Sequence, residues 1–94
     1  MEITWRRRAL EDLEAARRYI AAANPHASRR VMATILAAVA RLGEAPEIGR
    51  PGRVSGTREL VISRTPYIVA YSVIGGELVV LDVLHGAQDW PETF

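Results

Sequence analysis

The spacing of apolar residues changes once along the chain, and this change constrains the fold more than any other feature of the sequence. After a short alternating stretch at 2–5, apolar residues recur at the spacing of one helical face as far as about Gly43. Three runs rich in valine, isoleucine, leucine and tyrosine follow at 59–63, 67–74 and 78–85. In 94 residues, which suffice for one hydrophobic core, this order predicts a single α+β domain over 1–94, with a helical hairpin packed on an antiparallel sheet.

Two helices are predicted in the first half of the chain, with the break between them at Asn24-Pro25. Asparagine is a favourable N-cap and proline fits the first helical turn, so this pair ends one helix and begins the next. The apolar faces consist of Ala9, Leu13, Ala16, Ile20 and Ala23 in the first helix, and of Val31, Ile35, Ala38 and Leu42 beside Met32, Leu36 and Val39 in the second. Because the second helix carries two adjacent apolar stripes, we expect it to be covered on more than one side.

A two-residue turn at Gly75-Gly76 predicts a hairpin between the last two strands. With these glycines at the centre of the turn, Ile74 opposes Glu77, Val69 opposes Asp82, and Pro66 opposes His85. Both faces of the resulting sheet are apolar. Because two helices can cover only one of them, the second face requires the C-terminal tail, another chain or both.

Charge and composition exclude several classes of function. The net charge is only +1 and all twelve basic residues are arginines, so the general positive potential of a simple nucleic-acid-binding module is absent. The lack of cysteine excludes disulfides and thiolate catalysis. No export signal precedes the first strand, and no apolar run approaches the ~20 residues of a membrane span. We therefore expect a cytoplasmic protein with no membrane association.

Arginines around the connection at 43–56, together with a late histidine, are candidates for a phosphate site. These residues are Arg50, Arg53, Arg58, Arg64 and His85. If a short sheet gathers them on one rim, the guanidinium groups can hold a phosphate and the imidazole can move a proton, as in a ribonuclease. Alternatively, Arg58 and Arg64 form ion pairs with the acidic residues of the strands, Glu59 and Asp82, and His85 only ends a strand. The residues alone leave both alternatives open.

Aromatic residues in the strands and at the two ends of the chain are expected to serve in packing. They are Trp5, Tyr67, Tyr71 and Trp90, of which Tyr67 and Trp90 are also candidates for contact with a target. Two histidines, no cysteine and no obvious cluster of carboxylates give no metal-binding pattern. We therefore expect neither a metal nor a cofactor.

The order of several short motifs resembles the RelE/ParE superfamily of toxins from type II toxin–antitoxin modules, over nearly the whole chain. The residues that carry the resemblance are Ala9, Asp12, Leu13, Tyr19, Ile20, Asn24-Pro25, Ala27, Leu42, Pro46, Gly49, Arg50, Arg58-Glu59-Leu60, 66–71 and 83–86. The resemblance implies a β-α-α-β-β-β fold and a cognate antitoxin that neutralises the toxin. It also implies that operator DNA is contacted only through that antitoxin.

Two activities occur in this superfamily, and the resemblance implies one or the other. RelE-like members cut mRNA on the ribosome, in which case His85, Arg58 and Arg64 would be the catalytic residues here. The segment 86–89 lacks the late arginine of RelE itself. ParE-like members instead bind and inhibit DNA gyrase without catalysis, and a His-Gly ending such as His85-Gly86 is common among them. We expect the ParE-like activity, with Arg50, Arg53, Tyr67 and Trp90 as candidates for binding the target.

Overall fold

The computed structural model describes residues 1–94 and contains two helices and five strands. In chain order they are β1 (Ile3–Trp5), α1 (Arg7–Ala23), α2 (Pro25–Glu44), β2 (Arg50–Pro51), β3 (Arg58–Val61), β4 (Tyr67–Ile74) and β5 (Glu77–His85). The predicted α+β fold and β-α-α-β-β-β order are confirmed, with the two-residue strand β2 as an addition inside the connection. Neither helix combines the length and the apolar character needed to cross a lipid bilayer.

The strands form one sheet in the order β1-β5-β4-β3-β2. All neighbours are antiparallel except β1, which lies parallel to β5, with Ile3 opposite Leu78 and Trp5 opposite Val80. A parallel neighbour requires a long crossover connection, which the helical hairpin and the other strands provide. The sheet is therefore mixed, whereas an antiparallel sheet was predicted.

The break between the helices follows the predicted capping chemistry. The side chain of Asn24 accepts a hydrogen bond from the backbone N–H of Ala27 at 3.0 Å, and Pro25 is the first residue of α2. The buried Ser28 hydroxyl donates to the carbonyl oxygen of Arg17 at 2.7 Å. Together these bonds hold the two helices in an antiparallel hairpin against the sheet.

The main core lies between the hairpin and one face of the sheet, which we call the helix-side face. Its helical members include Ala9, Ala16, Ile35, Ala38, Val39 and Leu42, and its strand members include Tyr67, Val69, Tyr71, Leu78, Val80 and Val83. The predicted helical faces are thus confirmed in their central part. Two residues fall outside the core: Ala23 at the end of α1, and Leu36, which is 49% exposed although Met32 and Val39 of the same stripe contact the core.

A β-bulge in β5 divides the predicted hairpin register into a correct half and a wrong half. Next to the turn, Ile74 opposes Glu77 and Tyr71 opposes Val80, as predicted. Leu81 is then an extra residue, so that Ala70 opposes Asp82 and Val69 opposes Val83. Beyond this point the predicted pairs Val69–Asp82 and Pro66–His85 are wrong, and His85 lies opposite Tyr67. The bulge therefore turns Val83 and His85 to the helix-side face and Asp82 away from it.

The opposite face of the sheet, which we call the outer face, is also buried. Ala70, Leu84 and Asp82 on this face are each at most 1% exposed, although no helix covers them. The loop at 52–57 lies against it, since the Ser72 hydroxyl donates to the carbonyl of Gly56 at 2.7 Å. The C-terminal tail reaches the same loop, where the Trp90 ring stacks on the Arg53 guanidinium at 3.8 Å. The tail thus contributes to the cover that the sequence required, and the loop, which was not predicted for this role, adds to it.

Candidate functional site

Arg58 lies on the helix-side edge of the sheet and fastens the connection that precedes β2. Its Nη1 donates to the carbonyl of Gly49 at 2.6 Å and to that of Glu47 at 3.2 Å. The opposing Tyr71 hydroxyl accepts from the Gly49 N–H at 2.9 Å and donates to the Pro46 carbonyl at 2.6 Å. The guanidinium proposed from sequence as a phosphate ligand therefore already binds two backbone carbonyls.

The same arrangement determines the ionisation of Tyr71. Burial raises the pKa of its hydroxyl above the ordinary value of 10.0, and the nearby Glu47 adds to this increase. The hydrogen bond from Gly49 and the charge of Arg58 act in the opposite direction. A Cβ on Gly49 would overlap the Tyr71 hydroxyl, so glycine is required for this close approach. Tyr71 is thus a neutral structural anchor.

Glu59 organises a second cluster on the outer face. Its carboxylate is 3% exposed and accepts hydrogen bonds from Arg50 Nη2 at 3.0 Å and from the backbone N–H of Arg53 at 2.8 Å. The Arg53 side chain approaches the same carboxylate at 3.9 Å and stacks on Trp90. The side chains of Arg50 and Arg53 remain 52% and 54% exposed. The cluster therefore presents two half-exposed arginines above a buried carboxylate, beside a partly buried indole whose Nε1 has no hydrogen-bond partner.

His85 lies at the other end of the sheet, beside α1. Its ring makes an edge-to-face contact with Tyr67 at 5.6 Å between centroids, and its Nδ1 accepts the backbone N–H of Ala87 at 3.1 Å. Nδ1 is therefore used by the backbone, and Nε2 is the ring nitrogen left for other contacts. Burial raises the pKa of Tyr67 above 10.0, and the neighbouring Tyr19 hydroxyl contributes to the increase.

Arg64 lies in the turn between β3 and β4 and has an unusual backbone conformation. Its φ is +68°, the only positive value for a residue other than glycine in the chain. The Gly86 N–H donates to the carbonyl of Pro66 in this turn at 2.8 Å, so Arg64 and His85 belong to the same end of the sheet. Left-handed backbone costs an L-residue about 1–2 kcal/mol.

The structure does not gather the five candidate phosphate-site residues on one rim. Arg58 opposes Tyr71, whereas His85 opposes Tyr67, four residues away along β4 and on the other side of that strand. With about 3.3 Å per residue and about 4.8 Å between strands, their Cα atoms are roughly 16 Å apart. Arg50 and Arg53 lie with Glu59, and only Arg64 shares the end of the sheet with His85.

The ion pairs also differ from those that the sequence offered as the alternative to a phosphate site. Glu59 pairs with Arg50 and Arg53 rather than with Arg58, and Asp82 lies 3.3 Å from Arg8 Nε rather than beside Arg64. The Arg8 group is not aligned for a hydrogen bond, since the buried Asp82 Oδ2 has no hydrogen-bond partner. No group of three or more histidine or acidic side chains is arranged to hold a metal ion.

The sequence of the chain matches a known protein family over most of its length. The model described as "ParE toxin of type II toxin-antitoxin system, parDE" matches residues 3–90. The chain belongs to the ParE toxin family. Membership of this family confirms the superfamily assigned from the sequence motifs and makes an antitoxin the expected partner of the chain.

Individual relatives of this ParE-family toxin agree with the assignment. A protein of Sinorhizobium fredii named "Putative toxin Y4kP" is 44% identical over 90 residues, which cover 96% of this chain and 93% of the relative. The "Toxin RelE2" of Caulobacter vibrioides is 36% identical over 87 residues, covering 93% and 97%. A solved structure, "Chromosomal ParDE TA system from P. aeruginosa", superimposes with a TM-score of 0.80 at 28% identity, covering 90% of this chain and 95% of that one.

Sequence reasoning missed one group of residues in the ParE-family toxin. Asp12 and Tyr19 on α1 lie beside Tyr67 and His85 and line an open depression between α1 and β5. The helical pattern places Asp12 off the apolar face of α1, and Tyr19 enters only through the family resemblance. The sequence does contain one signal for this group, which is an acidic residue beside the apolar stripe of α1. A carboxylate at the margin of a hydrophobic core requires a hydrogen-bonding or charged partner.

Proposed function

We propose that this ParE-family toxin arrests growth by binding and inhibiting DNA gyrase, without cutting RNA. The separation of His85 from Arg58 carries the proposal. A general acid or base must lie within about 3 Å of the proton that it transfers, and the phosphate ligand must contact the same reacting group. The Cα atoms of His85 and Arg58 are roughly 16 Å apart. The Arg58 guanidinium binds the carbonyls of Glu47 and Gly49 while the His85 ring packs on Tyr67, so the two side chains do not converge on one reacting group.

The bonds that the arginine side chains already make within the chain support the same proposal. Arg58 donates to the carbonyls of Glu47 and Gly49, and Arg50 and Arg53 bind the buried Glu59. A phosphate would have to compete with these partners. A nuclease centre requires guanidinium groups that are already aimed at the reacting phosphate, whereas these are aimed at backbone carbonyls and at Glu59.

The outer-face cluster offers a surface for a protein target. Arginine and tryptophan are the residue types that most often dominate protein–protein binding energy, and here the two arginines are held in place by Glu59 and Trp90. Such fixed side chains lose little conformational entropy on binding. We therefore assign target contact to Arg50, Arg53 and Trp90, in a toxin that acts in the cytoplasm and reaches operator DNA only through its antitoxin.

The test compares gyrase supercoiling with ribosome-dependent mRNA cleavage, using the purified toxin and three variants. We expect the wild type to block supercoiling, His85→Ala to retain its potency because no proton moves, and Arg53→Ala to lose at least about tenfold. Arg30→Ala, which removes an exposed arginine of α2, is the matched control. Thermal unfolding checks that each variant is folded.

The ribonuclease alternative makes the opposite predictions. The wild type would cut mRNA on the ribosome, and His85→Ala or Arg64→Ala would slow cleavage by about 10²-fold or more. The 36% identity to a toxin named RelE2 is the reason to include this assay. Cleavage by the wild type that is lost in His85→Ala would refute gyrase inhibition as the activity of the chain.

A further inference from the structure

An open depression of about 330 Å³ lies between α1 and the end of β5. We call it the α1–β5 pocket and define it by Asp12, Tyr19, Tyr67 and His85. Small-molecule and cofactor sites usually measure about 300–1,000 Å³, so this volume is at the lower limit. The pocket is therefore suited to a single side chain rather than to a cofactor.

The walls of the pocket are aromatic. Tyr67 and His85 stand edge to face at 5.6 Å, and Tyr19, which is 80% exposed, projects from α1 beside them. Neither tyrosine hydroxyl forms a hydrogen bond within the chain, so both are available to a ligand. An exposed tyrosine with no internal partner, beside an aromatic pair, is a typical setting for cation–π contact.

The charge of the pocket is negative. Asp12 is the only acidic side chain in its lining, which contains no arginine or lysine, and the Nδ1 of His85 already accepts the Ala87 N–H. Asp12 uses Oδ2 to accept the Val83 N–H at 3.0 Å, and its Oδ1 has no hydrogen-bond partner. Arg8 acts on Asp12 through its charge but makes its ion-pair contact with Asp82, at 3.3 Å. One carboxylate oxygen is thus left free among aromatic rings, in a chain whose net charge is +1.

We propose that the α1–β5 pocket binds an arginine side chain of the antitoxin. A guanidinium is planar, stacks on aromatic faces and pairs with a carboxylate in a fixed geometry, whereas the ammonium of lysine is compact and strongly hydrated. The chain already shows such stacking where Arg53 lies on Trp90 at 3.8 Å. A bound cation would also offset the burial that raises the pKa of Asp12.

The surroundings of the pocket favour a protein as the source of this arginine. A second, apolar hollow lined by Tyr19, Ile20 and Ala23 adjoins the first through the shared tyrosine. A partner that inserts an arginine can therefore lay apolar residues beside it, which excludes water from the charged contact. Since ParE-family membership makes an antitoxin the expected partner, this proposal does not depend on the target of the toxin.

The first test uses a small probe, Nα-acetyl-arginine N-methylamide, and the full-length ¹⁵N-labelled toxin. We expect saturable chemical-shift changes at the four pocket residues, with a dissociation constant on the order of millimolar, as befits a fragment. The corresponding lysine amide should bind more weakly and the norleucine amide not at all. No saturable change at the pocket, or equal binding of the norleucine amide, would refute the proposal.

The second test measures the affinity of the cognate antitoxin for the toxin and two variants. Asp12→Asn keeps an oxygen for the Val83 N–H but removes the charge, and Glu11→Gln is the same chemical change on the neighbouring exposed residue. We expect Asp12→Asn to weaken antitoxin binding by about 10–100-fold, the usual effect of losing a charged contact at an interface centre, and Glu11→Gln to leave it unchanged. Equal affinities for both variants, at equal thermal stability, would refute the assignment to the antitoxin.

Discussion

The carboxylate of Asp12 accepts the backbone N–H of Val83 at 3.0 Å and so closes a part of the sheet that no strand covers. β1 pairs only with Leu78–Val80, and the edge of β5 beyond Val80 faces α1. An open edge exposes unpaired backbone groups that invite association with other chains. Here a side chain of α1 takes the place of the missing strand.

Replacement of Asp12 separates this structural role from the charge of the side chain. Asp12→Ala leaves the Val83 N–H without its partner, and we expect it to lower the free energy of unfolding by about 1–2 kcal/mol. Asp12→Asn keeps the acceptor and should remain within about 0.5 kcal/mol of the wild type. Urea denaturation measures both values, and equal stability of the two variants would show that the bond contributes little.

The pH dependence of stability should also reflect Asp12. Burial is the largest cause that raises the folded-state pKa of this carboxyl above 3.8, outweighing the Val83 hydrogen bond and the charge of Arg8. The folded state therefore takes up a proton more readily than the unfolded state, and acidification favours folding at this site. Relative to Asp12→Asn, the wild type should gain stability as the pH falls from neutral through the folded pKa toward 3.8. A constant difference across this range would contradict the expectation.

Tyr71→Phe tests the anchor of the connection. The substitution leaves the Gly49 N–H and the Pro46 carbonyl without their partner in a buried region. We expect the free energy of unfolding to fall by about 2–4 kcal/mol, since each unpaired buried group costs about 1–3 kcal/mol. Tyr19→Phe, at an exposed position, should change stability by less than about 0.5 kcal/mol. Comparable losses in both variants would mean that the hydroxyl of Tyr71 is not the source of the effect.

Glu59→Gln tests the outer-face cluster. The buried carboxylate joins Arg50 to the loop at Arg53, and an amide can replace only part of these bonds. We expect the free energy of unfolding to fall by about 1–3 kcal/mol. This is less than for a fully buried ion pair, because both arginines stay half-exposed. The control is Glu14→Gln, which breaks the exposed pair with Arg17 and should leave the stability nearly unchanged. Thermal unfolding measures the stability of Glu59→Gln and Glu14→Gln, and equal stability of the two variants would contradict the role assigned to Glu59.

Arg64→Gly tests whether the backbone of the β3–β4 turn is strained. Glycine adopts a φ of +68° without the steric cost that arginine bears, so we expect the variant to be more stable by about 0.5–1 kcal/mol. Arg64→Ala keeps the strain and should be nearly neutral. If Arg64→Gly gains stability but loses toxicity, the side chain is retained for function. A loss of stability would show that the turn gains from the arginine side chain itself.

The sequence predicted the helices and strands well wherever the spacing of apolar residues stays the same over many residues. β4 was predicted with its observed bounds, and Asn24-Pro25 marked the hairpin, because capping and alternation are local effects. The bulge at Leu81 was not predictable, since a leucine between Val80 and Asp82 continues the alternation without interruption. That one residue decided which face carries Asp82, Val83 and His85.

The candidate site was less predictable than the fold. The arginines were recognised as a group because they are close in sequence, but ion pairs and backbone contacts join residues that only the sheet brings together. Glu59 takes Arg50 and Arg53, while Arg58 turns to the carbonyls of Glu47 and Gly49. The positions of Arg58 and His85 in the sequence therefore did not indicate how far apart the two residues lie in the fold.

The parallel pairing of β1 with β5 joins two strands that are distant in sequence. This pairing limits the stage of synthesis at which the toxin can fold. During synthesis, β1 and both helices leave the ribosome before the strand on which they depend has been made. Contacts this distant in sequence form late in folding. A nascent or prematurely terminated chain that lacks β5 has neither the strand that joins β1 to β4 nor the residue that Asp12 binds. The folded toxin therefore forms only after β5, the last strand in chain order, has been translated.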